Sequence, residues 1–439
     1  MTTKAFLLGE CDNIGALLDR TLRFDYGLEG SFEFYEECSA RLGILQSELN
    51  AVDPANLPQV GILSRGLAEL TQLICRIERS SIGEYSWPFV EELKRIAASI
   101  CTEATIDDPD APLKVYVLAE GALDAYCIYH ERLRPSYAKR RLLTIVFPKT
   151  LKHFVLLHSI LGHEIGHAIF GCTKHQATLV KDVLSHLTHV GGAFETAAAT
   201  AAHIFSNTVP PSVLADLSSR GATEANLFVE FSDWSSWWEE LLCDVIGLVS
   251  FGPAFVAAEC SLLYSLDVTG LGVGPYHPLV AWRINLLRRG AKLLGLDLLP
   301  ENDSPLKEAM QEFWNYIDTF VKNDPWCDVL DDAEFLAALN GAEKLLSLHK
   351  PAAYPPPSFE AMEKMLSAIH RLVPPVGFAV DSQGEPHCDN VDFRHILYVG
   401  WIESRRQNGS GTTFSIVNKL CEHAIMQQRA ISIALEGGM

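Results

Sequence analysis

Positive charge is scarce in this chain. Only 35 lysines and arginines face 55 aspartates and glutamates, a net charge of −20 over 439 residues. So acidic a surface repels phosphate backbones and anionic lipid, which removes nucleic acid and membrane headgroups from the expected partners. The one dense basic run, ERLRPSYAKRR at 131–141, reads as a solvated turn. Long unbroken apolar runs are missing too. The nearest to one, VIGLVSFGPAFVAAECSLLYSL at 245–266, carries Glu259 and is interrupted by Gly252-Pro253. It predicts two buried half-length helices rather than a membrane span. The opening MTTKAFLLGECDNIG has one lysine and a short apolar segment, too little for a secretory signal. No CxxC pair occurs among the eleven cysteines. Scattered and odd in number, they suit reduced thiols and a cytoplasmic location better than a disulfide framework. Internal repeats and low-complexity tracts are absent, as are a G-x-S-x-G nucleophile elbow and a G-x-x-x-x-G-K phosphate loop.

Apolar material is plentiful. A hydrophobic content of 48% supplies a core for two or three compact units or one large domain. Residues 1–112 read as helical, because EFYEECSARLGILQSEL and VGILSRGLAELTQLICRIERS repeat apolar residues every three or four positions. TIDDPDAP at 105–112 breaks that pattern. The β-branched and aromatic runs LKVYVLAE and RLLTIVFP follow, and they predict a short sheet ahead of a histidine-bearing helix. For that helix Thr150 is the expected N-cap and Gly171 the stop. Further helices are expected at 175–189 and 193–206, then one from Ser232–Ser236 to Gly252-Pro253, with Ser236 and Glu239 at capping-box spacing. Another runs over 278–294 with Pro278 in its first position. Beyond 300 the chain reads as helical except for KPAAYPPPS at 350–358. The expected organisation is an α+β, predominantly helical chain: an N-terminal helical region (1–112), a central domain (113–298) and a C-terminal helical region (299–439).

Chemistry concentrates in ILGHEIGHAIFG at 160–171. His163 and His167 stand four apart, so a helix puts both imidazoles on one face, where they can share a zinc ion. Glu164 between them is placed to take a proton from water that such a metal acidifies. A core helix with incidental histidines carries the same short motif, so a third ligand is needed. WWEELLCDVIG offers Glu240 and Asp244, again four apart: a ligand carboxylate and, one turn on, an aspartate to fix an imidazole through its other N–H. Glu239 has Cys243 rather than an acid four residues on, which favours Glu240. An acidic helix start would leave the same residues solvated, but Asp244 sits in an apolar run where a lone carboxylate is costly to bury. YHPLVAWRI then supplies His277, able to hydrogen-bond an oxyanion, and Arg283, able to orient a carboxylate or bind substrate backbone.

The order HEIGH, E-x-x-x-D, H-P-x-x-x-x-R-I across 163–284 resembles the HtpX and CAAX prenyl protease family of gluzincin metallopeptidases. That resemblance implies a gluzincin-type zinc endopeptidase domain. In it His163, His167 and Glu240 are ligands, Glu164 the general base, and Asp244 the partner behind a ligand. His277 would stabilise the transition state and Arg283 support it. The chain departs from the family in lacking transmembrane hairpins, in Cys243 where alanine is common, and in Leu279 where a second proline is common. Its substrate is expected to be a protein or peptide, with a regulatory partner on the helical flanks. Cys388, in EPHCDN, reads as a loop cysteine or as a thiolate latch on the open zinc position. His153, His158, His175, His186, His189 and His203 crowd the region as core or surface residues. Di-iron chemistry fails for want of a second E-x-x-H. The rival to a peptidase is a helical interaction protein with a structural or degenerate metal site.

Overall fold

The computed structural model describes residues 3–21, 31–79, 90, 92–97, 114–118, 126–130, 142–146, 148–151, 153–171, 234–267, 277–322, 332–347, 353–376, 378–380, 386–388, 391–406 and 411–437. The chain is predominantly helical and divides into two compact units. One comprises Met1–His153 with Gly171–Thr173, the other Phe154–Phe170 with Lys174–Met439. The expected boundaries at 112 and 298 both fall inside these units.

In the first unit, α1 (Thr3–Thr21), α2 (Ser31–Ala51) and α3 (Leu57–Arg79) form a three-helix core. Leu7, Cys11, Ile14 and Leu18 on α1 and Val60, Leu63, Leu67, Leu70 and Ile74 on α3 recur every three or four residues, and all are buried. This is the periodicity of one helical stripe turned inward. The same unit holds a three-stranded sheet of β1 (Lys114–Leu118), β2 (Cys127–His130) and β3 (Leu142–Val146) in the order β1-β3-β2. Strand β3 pairs in parallel with β1, Lys114 opposite Leu142, and antiparallel with β2, Cys127 opposite Val146. The two expected β-like runs contain β1 and β3. The four-residue β2 is too short to show an alternation in the sequence.

The second unit is built from helices. A 3-10 turn (Val155–Ile160) leads into α4 (Leu161–Gly171), which carries the histidine motif. Helices α5 (Trp234–Phe251) and α6 (Pro253–Leu266) follow, then α7 (Val280–Leu293), α8 (Pro305–Asp318), α9 (Asp332–Ser347) and α10 (Phe359–His370). A hairpin of β4 (Phe378–Val380) and β5 (Pro386–Cys388) precedes α11 (Phe393–Arg406) and α12 (Gly411–Gly437). Gly252 at φ +60 turns α5 into α6, a left-handed conformation that disfavours a side chain, and Pro253 opens α6 where no N–H is needed. The apolar window is thus two buried helices, and no helix among the described residues is long and apolar enough to cross a membrane.

Several expected helix ends shift. Thr150 lies in a separate 3-10 turn (Lys149–Leu151), because Phe154 at φ −95, ψ 66 interrupts the helical path before α4. Helix α7 starts at Val280, since Leu279 after Pro278 is extended at ψ 130. Ser236 lies within the first turn of α5 and is no N-cap. The expected helices at 175–189 and 193–206 and the basic run at 131–141 lie outside the described residues.

The helices beyond 300 belong to the core of the second unit. Helix α11 packs on α6, α8, α10 and α12, and its Trp401 Nε1–H donates to the Leu156 carbonyl at 2.9 Å. Asn418 on α12 accepts from the Leu156 N–H at 3.2 Å. The Arg394 guanidinium on α11 donates to the Ser250 carbonyl near the end of α5. Trp237, Trp282, Phe251, Phe255 and Trp401 are among the fully buried side chains, each contributing about 1.5–3 kcal/mol.

Candidate metal centre

Two glycines bring α4 against α5. A Cβ on Gly166 would stand 2.6 Å from the Cys243 Cα, and one on Gly162 would stand 2.8 Å from the Phe251 ring and 3.0 Å from the Gly247 Cα. Glycines four apart leave a smooth strip along α4. The residues after them, His163 and His167, therefore meet the Glu240 and Asp244 side of α5. Their rings lie edge-on with centroids 4.9 Å apart.

Glu240 sits between the imidazoles. Its Oε2 is 3.3 Å from His163 Nε2 and its Oε1 is 3.4 Å from His167 Nε2. Ligand atoms ~2.0–2.2 Å from one tetrahedral zinc ion stand ~3.3–3.5 Å apart, so the donor set and its spacing fit that ion. Each imidazole is held from behind. His163 Nδ1 donates to Asp244 Oδ1 at 2.9 Å, and His167 Nδ1 donates to Glu239 Oε1 at 3.0 Å. Carboxylates in that position fix the tautomer that leaves Nε2 free to bind metal.

Two other groups of donor atoms lie within 4.8 Å of one another, His163–His167–Cys243 and His163–Asp244–Glu259. The first shares both imidazoles with Glu240 and adds the Cys243 sulfur as a further donor atom. In the second group Arg283 already occupies the space. It donates from Nε to Asp244 Oδ2 at 2.8 Å, from Nη2 to Asp244 Oδ1 at 2.7 Å, and from Nη2 to Glu259 Oε1 at 3.0 Å. Glu240 is the carboxylate that faces both Nε2 atoms.

The electrostatics follow from these partners. Burial opposes charge on His163 and His167, yet the carboxylates beside them raise both, His167 to about 10. Glu240 resists burial in the same way and is held far below the carboxylate range by the two imidazoles. Burial raises Glu164, and the neighbouring histidines only partly offset it. Glu164 is half-buried, and among the described residues its carboxylate has no hydrogen-bond partner. His277 is the exposed member, with 64% of its side chain accessible and its Nε2 3.7 Å from Glu240 Oε1.

All seven expected residues are thus brought to one place. Arg283 is the one whose role narrows: at 5% exposure and paired with Asp244, Glu259 and Glu240 it cannot reach substrate backbone, so orienting carboxylates is what remains to it. Two contributors escaped the sequence reading. Glu239, set aside as a ligand, holds His167 instead of closing a capping box. Glu259 anchors the far side of Arg283. Its signal was a lone carboxylate in an otherwise apolar window, which demands a buried partner. His158 is buried in the 3-10 turn and His153 is exposed, and neither joins the donor groups. The Cys388 side chain, His175, His186, His189 and His203 lie outside the described residues. Compared with protein-family models, curated proteins and solved structures, the chain matches none.

Proposed function

We propose that this chain is a zinc-dependent metallopeptidase of gluzincin type that hydrolyses peptide bonds in protein or peptide substrates. The observation that supports it most is Glu240 facing both Nε2 atoms at 3.3 and 3.4 Å while each Nδ1 is held by its own carboxylate. A zinc ion held by His163, His167 and Glu240 would supply Lewis-acid polarisation of water and of a scissile carbonyl. Glu164 acts as general base. Desolvation makes its carboxylate more basic than usual, so it takes a proton from the attacking water and returns it to the leaving amine. His277, accessible from solvent, donates from its ring to the oxyanion that develops on the carbonyl. Asp244, Glu239 and Arg283 position these groups without touching substrate.

The second reading is a helical interaction protein with a structural or degenerate metal site. What favours the degenerate form is Arg283 Nη1 3.4 Å from Glu240 Oε2, a cationic partner that can stand in for a metal at that carboxylate. Zinc content and cleavage of unfolded protein substrates, measured together, separate the two. Chain prepared without chelator is expected to hold about one zinc, as is Glu164→Gln, while Glu240→Ala loses it. Cleavage should fall at least ~100-fold in Glu164→Gln. Metal retained in Glu240→Ala would overturn the ligand assignment. Wild-type chain that takes up no zinc would overturn the peptidase, and zinc without cleavage of any protein or peptide would leave a structural site.

A further inference from the structure

Arg283 on α7 stands among carboxylates from two other helices. Its Nε and Nη2 grip both oxygens of Asp244, Nη2 donates as well to Glu259 Oε1 at 3.0 Å, and Nη1 lies 3.4 Å from Glu240 Oε2. The Glu240 contact is an ion pair that falls short of a hydrogen bond. We propose, resting on the zinc centre above, that Glu259 is a positioning residue for the metal: it holds the Arg283 guanidinium back from Glu240 and so leaves the charge of Glu240 for zinc. Glu259 makes no hydrogen bond to a proposed ligand among the described residues and acts through Arg283.

Glu259 is costly where it stands. It is 3% exposed on α6, between the buried Ala258 and Cys260. Its Oε2 is buried without a hydrogen-bond partner among the described residues, so its pairing runs through Oε1 to Arg283. A buried carboxylate with half its oxygens unpaired weakens a fold rather than supporting it. Neutralising Arg283 does not require it either, because Asp244 already gives that arginine a bidentate partner. What the second carboxylate changes is direction. Glu259 draws on Nη2 and Glu240 on Nη1, the two free ends of one rigid planar group. The closer contact goes to Glu259. With that charge removed, Glu240 becomes the strongest remaining pull on the fork, and in a buried setting such attractions are weakly screened. A guanidinium drawn fully onto Glu240 competes with zinc for the same carboxylate.

The test compares the full chain with Glu259→Gln, which keeps the shape and loses the charge, at pH 8, above the value of about 7 to which burial lifts Glu259. Zinc affinity is measured by chelator competition, and stability by denaturant unfolding of the metal-free proteins. Affinity should fall about tenfold. Metal-free stability should stay unchanged or rise, because a desolvated charge has gone. A fall in metal-free stability, with or without lost affinity, would mark a merely structural role and overturn the proposal. Equal zinc affinity in the two proteins overturns it too, and leaves the zinc centre standing. Wild-type chain that takes up no zinc removes the centre itself, and the role of Glu259 with it. The route through Arg283 is checked by repeating the substitution in Arg283→Met, where it should no longer weaken zinc binding. A tenfold loss that persists there would mean that Glu259 acts on the metal by its own charge, and the positioning role would be withdrawn. Should Arg283→Met fail to fold, the cobalt(II)-loaded proteins decide. The visible spectrum of Glu259→Gln should differ from wild type as Glu240 is drawn toward Arg283, and identical spectra overturn the proposal.

Discussion

Glu239 and Asp244 do the same job for the two imidazoles from different depths. Asp244 is 2% exposed and locked by the Arg283 fork, whereas the Glu239 side chain is 23% exposed and has no such brace. Losing a carboxylate behind a ligand histidine typically lowers metal affinity about 10–100-fold. Glu239→Ala is therefore expected to weaken zinc binding about tenfold in a chelator competition, and Glu239→Gln, whose amide oxygen can still accept from His167 Nδ1, should lose less. Equal losses in the two variants would mean that Glu239 acts by charge and not by orientation. Arg283→Met should act on folding. It strands Asp244 and Glu259, both within 3% of full burial, without their shared cation. Breaking a buried pair by removing one partner costs ~3–5 kcal/mol, so denaturant unfolding of the second unit should shift by that order. At this scale the sequence was informative where residues repeat at helical spacing, as in His163/His167 and Glu240/Asp244. It was silent on Glu239 because adjacency along α5 does not say which imidazole, contributed by a different helix, will stand opposite.

At the level of elements the centre depends on how closely α4 can approach α5. Gly166→Ala sets a methyl against the Cys243 Cα, a backbone atom that cannot turn aside. Overpacking of this kind costs ~1–3 kcal/mol, and the helices must separate to relieve it. Zinc affinity should fall together with stability in Gly166→Ala, whereas Gly43→Ala on α2, with open space around it, should leave zinc affinity unchanged and raise stability by about 0.5–1 kcal/mol. A Gly166→Ala protein with wild-type zinc affinity would show that the approach is not what sets the ligand spacing. The glycines at 162 and 166 were visible in the sequence as letters of the motif. Their function was not, because a contact surface needs two helices and the second lies about seventy residues further on. Helix starts were misplaced for a related reason: Phe154 and Leu279 leave the helical path through backbone angles that residue type alone does not dictate.

For the molecule as a whole, pH reaches stability through Glu259. Burial lifts it to about 7 even though Arg283 pulls the other way. An unfolded glutamate titrates near ~4.3, so between these values the folded chain holds the extra proton. That contribution is complete below ~4.3 and is lost as pH rises through about 7, which makes stability decline over this interval. Metal-free Glu259→Gln should show a flatter stability profile between pH 5 and pH 7, on the order of 1–3 kcal/mol. Parallel profiles for the two proteins would remove Glu259 as the source. The division of the chain carries a second prediction. A fragment 113–298 lacks α8 to α12, and with them Trp401, Asn418 and Arg394, which satisfy Leu156 and Ser250. It should not unfold cooperatively or hold zinc, although it contains every proposed ligand. The break at 105–112 is local polarity and proline, whereas the two compact units are defined by which apolar stripes cover one another.

Both backbone hydrogen-bonding groups of Leu156, seven residues before His163, are satisfied by side chains that follow it by 245 and 262 residues. On the ribosome those partners emerge long after the histidines do. A chain still being synthesised carries the whole donor set before either partner of Leu156 exists, and the turn that leads into α4 gains both only once residue 418 has been made.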